Sequence, residues 1–208
     1  MKAIPKYLLV IFLLTTFQAL QAQIRFGQIF GVNLATMTLK TEGKNYVPKI
    51  SPGIHFGGAL EIPIAGNLIF QPALLFSAKG SVYETDSVEF SISPIYLEVP
   101  VMLFYSIGSE NLRLTFYAGP YVACGIGGNT LATGGQFKNI SFGNGEYDDL
   151  ERFDIGMNMG AGLYIKGFLI SAQYGSGLTN LAPSSKADTE IKNRVIAISL
   201  ITSLSGRK

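Results

Sequence analysis

Apolar and polar residues alternate with period two along most of this chain, the pattern of strands with one apolar and one polar face. In residues 24–34, Ile24, Phe26, Phe30, Val32 and Leu34 form one row, and Arg25, Gly27, Gly31 and Asn33 form the other. Gln28 and Ile29 are the exceptions. Three runs follow in the first half. Ile54, Phe56, Leu60, Ile62 and Ile64 alternate with His55, Gly57, Ala59 and Glu61; Leu68, Phe70, Pro72, Leu74 and Phe76 with Gln71, Ala73, Ser77 and Lys79. Ile95, Leu97, Val99, Val101 and Leu103 then alternate with Tyr96, Glu98 and Pro100. Four more runs fill the second half. Leu112, Leu114 and Phe116 oppose Arg113, Thr115 and Tyr117; Phe153, Ile155 and Met157 oppose Asp154, Gly156 and Asn158. Phe168, Ile170 and Tyr174 oppose Ser171, Gln173 and Gly175; Ile196, Ile198 and Leu200 oppose Asn193, Ala197 and Ser199. That makes eight strands, most of them about ten residues or longer, enough to cross a bilayer at a tilt.

The links alternate in length. Short ones fall at 65–67, 106–111 and 166–167, and long ones at 40–50, 80–91, 128–151 and 180–192. Outer-membrane barrels are wired this way, with short periplasmic turns and longer outer loops. Lipid offers no hydrogen-bond partners to the backbone, so such a sheet must close on itself. The reading is an all-β protein, an eight-stranded antiparallel up-and-down transmembrane β-barrel, integral to the cell outer membrane. An even strand count puts both termini in the periplasm.

Composition supports this placement. Charged residues are 14% and apolar residues 48%, with a mean hydropathy of +0.31, whereas a soluble domain carries about 25% charge. Beyond the N-terminus there is no run of the ~20 apolar residues that a membrane helix needs. The N-terminus itself reads as a secretory signal over 1–22: Lys2 and Lys6 precede an apolar stretch at 7–17, and a cut is expected before Gln23. The barrel domain is then 23–208. Sixteen Lys and Arg face fourteen Asp and Glu, and losing Lys2 and Lys6 balances them. A neutral mature chain has no electrostatic footprint for nucleic acid. With Cys124 as its single cysteine, it has no internal disulfide.

The polar rows are rich in glycine and amides and carry Arg25, His55, Glu61, Lys79, Glu98, Arg113 and Asp154. An eight-stranded barrel has an interior just wide enough for side chains, and small residues with paired charges suit it. These seven form the expected lumen network, with Arg113, Arg25 and Lys79 as the available cations for Glu98. A soluble barrel with reversed faces would put glycine-rich rows in water, a poor solvent surface. The apolar rows, with Phe26, Phe70 and Phe168 near strand ends, suit hydrocarbon and its aromatic girdles. Pro72, Pro94, Pro100 and Pro120 also fall in strands; proline removes a ladder donor, so they are expected at bulges or strand ends.

Candidate chemistry is sparse. His55 is the single histidine, and a lumen histidine with satisfied hydrogen bonds is the expectation. A barrel lipid hydrolase would use it with a serine and a carboxylate. Glu146, Asp148, Asp149 and Glu151 cluster in the longest outer loop; they are expected to be solvated, because their spacing is not that of a calcium loop. Gly156, Gly160 and Gly162 alternate within a strand, whereas a nucleotide-binding loop opens a helix. No catalytic residue, metal site or cofactor is expected.

Four segments carry a resemblance: "YLEVPVMLFY" (96–105), "FYAGPYV" (116–122), "RFDIGMNMGAGLY" (152–164) and "QYGSGLTNL" (173–181). They resemble the Bacteroidetes outer-membrane β-barrel family that includes PorT-like proteins. "GVNLATM" (31–37) is similar in style to that family's first strand, and Pro100 and Pro120 fall where the family has prolines. The chain departs from the usual aromatic end of outer-membrane barrels, finishing Leu204-Ser205-Gly206-Arg207-Lys208. The resemblance implies a barrel of mostly undefined role, with secretion tied to its PorT-like members; the leading expectation is a non-enzymatic barrel whose outer loops or periplasmic partner carry the role. Its partners would be outer-membrane lipid and lipopolysaccharide, the barrel assembly machinery, and a secretion-system or periplasmic protein. The alternatives are a narrow transport or ligand-binding barrel and the hydrolase built on His55.

Overall fold

The structure is a computed structural model describing residues 24–41, 44–84, 89–109, 111–132, 135–186 and 188–203. The signal segment 1–22 and the final residues 204–208 lie outside these. Among the described residues there are eleven strands: β1 (Arg25–Thr41), β2 (Lys44–Tyr46), β3 (Pro48–Ala65), β4 (Leu68–Ala78), β5 (Ser81–Glu84), β6 (Glu89–Gly108), β7 (Leu112–Ala132), β8 (Gln136–Asn139), β9 (Phe153–Ile165), β10 (Phe168–Gly177) and β11 (Thr189–Ser203). Eight are long and pair antiparallel in the ring β1-β3-β4-β6-β7-β9-β10-β11, which β11 closes on β1. The fold is therefore an up-and-down barrel, and closure leaves the membrane-spanning strands no free edge.

The alternation decides which face is which. On β1 the apolar residues Phe26, Phe30, Val32 and Leu34 are exposed, while Ile29, Asn33 and Ala35 are buried. The same holds on β6, where Ile95 and Val99 face out and Tyr96 and Glu98 face in. Inward glycines make room for large neighbours. A Cβ on Gly156 or Gly160 would lie 2.5 Å from the Tyr121 or Tyr117 ring. Short turns close one end of the barrel, called here the turn end. At Lys166-Gly167 both residues have positive φ, 45° and 101°, as the tightest hairpin turns require. Arg25 pairs with Glu61, and Gly27 with Ser203, so both ends of the barrel chain lie there too.

The opposite, loop end differs from the sequence reading. Three of the four long links carry short strands of their own: β2 continues the sheet beside β1, β5 joins β3 to β6, and β8 pairs with the extended end of β7. The prolines also differ. Pro94 adjoins a bulge at Ile95/Tyr96, but Pro72, Pro100 and Pro120 sit mid-strand with the register unshifted on either side. The ladder instead skips pairs beside them, Leu60 with Pro72 and Val101 with Pro120. Their missing donors are thus gathered in one patch of wall across β4, β6 and β7.

Candidate functional site: a sealed lumen under a built cap

From the turn end upward, the lumen is filled in layers. The first holds Arg25, Glu61 and Arg113 around a cavity of about 50 Å³. The Arg113 guanidinium stacks 4.1 Å above the Tyr164 ring, and Ser106 and Thr115 share a hydrogen bond of 2.9 Å. Next comes an apolar layer including Ile29, Leu75, Met102, Phe104, Leu169 and Ile201. In it Phe104 stacks on Tyr117 with centroids 4.5 Å apart.

Above this lies a polar layer. Asn33 donates its amide protons to Ser77 Oγ (3.1 Å) and the Ala78 carbonyl (2.8 Å). Its Oδ1 is then the acceptor for His55 Nδ1, 2.8 Å away. That places a proton on Nδ1, and Nε2 lies 2.9 Å from the Ser199 hydroxyl, which can donate to it when the ring is neutral. Serine, histidine and an orienting amide stand in the order of a nucleophile, base and positioning group. All three are buried, and the adjoining cavity of about 50 Å³ has room for a few waters, where a ligand pocket needs roughly 300 Å³ or more.

Lys79 anchors the next layer. It lies one residue past β4, in the link to β5, and its Nζ is 2.8 Å from Glu98 Oε2 and 3.2 Å from Asp154 Oδ2. The contact to Glu98 is ionic and lies outside hydrogen-bond geometry, since that oxygen has no hydrogen-bond partner. Asp154 is better held, accepting from Tyr121 Oη at 3.0 Å and Asn193 Nδ2 at 2.9 Å. The Tyr121 ring also lies 4.3 Å from the ammonium. Among the cations open to Glu98 on sequence, the structure selects Lys79. Arg113 pairs across to Gly108 near the turn end, far from Glu98, which pairs with Ala123.

Over this layer sits a second apolar core of Met37, Tyr83, Ile92, Ile140, Leu150 and Leu181. Residues 140–150 and 178–186 build it into a cap. Phe142 meets Tyr96 edge-on at 6.2 Å, and Arg152 donates to the Phe142 carbonyl at 3.1 Å. Asn144 Oδ1 accepts from Ser184 Oγ at 3.0 Å, and Lys186 reaches the Asp148 carbonyl at 3.1 Å.

The acidic loop residues do not converge on one point. Asp149 pairs with Lys138 at 2.9 Å, whereas Asp148 accepts from Ser141 Oγ at 2.6 Å and the Gly145 amide at 2.8 Å. The Ser141 hydrogen bond, more than any other influence, holds the Asp148 carboxyl below the ordinary aspartate range. Glu146 is exposed, and Glu151 is held through its backbone amide, which donates to the Leu181 carbonyl. Among the described residues no cluster of three or more His, Cys, Asp or Glu could hold a metal ion. The sequence reading missed Asn33, Ser199, Tyr121 and Asn193 as members of the lumen network. All four stand on its polar rows, but alternation within a strand does not mark which members of a row meet.

A closed barrel with an apolar exterior and a charged, packed lumen defines the class: an integral membrane β-barrel. The outer membrane protein beta-barrel domain family matches residues 18–182, and the chain belongs to that family. No curated protein matches it. Among solved structures it is similar to neisserial surface protein A, over 85% of this chain and 96% of that one, at 12% identity and a TM-score of 0.46. OprG from Pseudomonas aeruginosa aligns over 88% and 95%, at 11% identity and 0.49. Ail, the attachment invasion locus protein of Yersinia pestis, aligns over 85% and 98%, at 14% identity and 0.37.

Proposed function

We propose that this is a non-conducting, non-enzymatic outer-membrane barrel whose working surface is the cap at its loop end, turned toward the cell exterior. The carrying observation is the contrast between the two parts. The lumen is filled by layers that leave cavities of only about 50 Å³ each. The loop end, by comparison, is given added strands, a core of its own and cross-loop hydrogen bonds. Ordering loops costs roughly 1–2 kcal/mol per residue in backbone entropy, which suits a surface whose shape matters.

Planar-bilayer recording of the purified barrel tests this reading, with no stepwise conductance expected. Discrete openings at moderate voltage would favour the narrow transport alternative. Orientation is tested separately in a Cys124→Ser background. Tyr147 is 88% exposed on the cap, so Tyr147→Cys should react with an impermeant maleimide on intact cells. Asn67→Cys, in a short turn, should react only after lysis, and the reverse pattern would invert the orientation. The PorT-like resemblance of the four sequence segments supports a narrower form, in which the partner belongs to a protein-secretion assembly. Unchanged levels of secreted proteins in a deletion strain would remove that form.

A further inference from the structure

The outward face of β1, β10 and β11 changes character abruptly near the loop end. Leu34, Tyr174 and Ile196 are the last of the apolar belt there, all exposed. One outward step above Ile196, a rise of about 7 Å, stands Arg194, paired across to Thr36 on one side and Ser176 on the other. The next outward pair is Lys192 with Thr38, followed by Glu190 with Lys40. Glu190 binds Lys192 at 2.8 Å and Lys40 at 3.9 Å, and Asp188 lies farther out, in the turn before β11. Arg194 makes no ion pair or hydrogen bond among the described residues. The unpaired charge is therefore the one nearest the hydrocarbon, with a hydroxyl side chain on each flank. Neighbouring β3 shows no such change, since its outward residues past Ile54 are Pro52 and Ile50.

We propose that Arg194, with Lys192 above it and the Thr36 and Ser176 hydroxyls beside it, binds the phosphate of an outer-leaflet glycolipid headgroup. The acyl chains of that lipid lie against Leu34, Tyr174 and Ile196. Guanidinium matches phosphate through paired donors, and contact beside low-dielectric hydrocarbon strengthens the attraction. Continuity with the apolar belt selects a lipid over a free anion. Assignment to the outer leaflet rests on the orientation proposed above, whereas binding itself does not.

The test uses the full mature barrel purified in neutral detergent and offered lipid A, the same lipid with its phosphates removed, or phosphatidylglycerol. Retained lipid is counted by native mass spectrometry. Wild type should retain lipid A over the dephosphorylated form on the order of tenfold, as one or two charge-assisted hydrogen bonds would give. An Arg194→Gln/Lys192→Gln variant should lose that preference, while Lys49→Gln/Lys138→Gln, which removes cations elsewhere on the loop end, should keep it. Equal retention of the two forms of lipid A by wild type, or a preference that survives in the Arg194 variant, would overturn the site. Phosphatidylglycerol retained as well as lipid A would overturn the glycolipid assignment. None of these arms depends on which end faces outward in the cell, which the maleimide experiment reads independently.

Discussion

Lys79→Met is expected to destabilise the folded barrel by roughly 3–5 kcal/mol, the cost of removing one member of a buried charged group. Lys79 is 5% exposed and is the cation placed between the Glu98 and Asp154 carboxylates. Without it, Asp154 keeps its hydrogen bonds from Tyr121 and Asn193, but Glu98 is left buried with no counter-charge. Glu98→Leu should cost less, because Lys79 then keeps Asp154 as its partner. Neutralising all three, as Lys79→Met/Glu98→Gln/Asp154→Asn, should recover most of the loss, since no net charge remains to be buried. Guanidinium unfolding from lipid vesicles, followed by gel mobility, measures each variant. An unchanged midpoint for Lys79→Met would show that these charges are solvated rather than packed in the lumen.

Val99→Arg should cost about 2–4 kcal/mol for a different reason, placing a charge on the lipid face near mid-bilayer. Val99 lies mid-β6, 42% exposed, with the buried Glu98 and Pro100 on either side. Val99→Leu is the control and should leave stability unchanged, because leucine is as welcome in hydrocarbon as valine. The arginine penalty should shrink in short-chain detergent, where water reaches the barrel wall. A Val99→Arg variant as stable as wild type in vesicles would refute the placement of this row in hydrocarbon.

The rows that these two variants probe were legible without coordinates. Alternation is a local property: a strand turns successive side chains to opposite faces whatever its neighbours do. Phe30 and Asn33, or Val99 and Glu98, could therefore be assigned to faces from sequence alone. The alternating link lengths gave the strand order for the same reason, because adjacent antiparallel strands need only a turn. The loop end was read less well. Segments such as 81–84 and 136–139 are short and unremarkable in pattern, and they become strands by pairing with β6 and β7 as these extend past the apolar belt. The mid-strand prolines were misplaced because a ladder can omit a pair without shifting register, and nothing in the sequence marks that choice.

By itself, the sequence determined that this chain forms eight membrane-length strands, that their apolar rows face outward, and that charged residues line the inside. Only the tertiary structure decided which of those residues meet. Glu98 and Asp154 lie on β6 and β9, with β7 between them, yet both reach Lys79 at the end of β4. Ser199, His55 and Asn33 likewise come together from β11, β3 and β1. Such contacts depend on the stagger between strands and on the narrowness of an eight-stranded ring. Those are properties of the closed sheet as a whole, and no single strand's pattern encodes them.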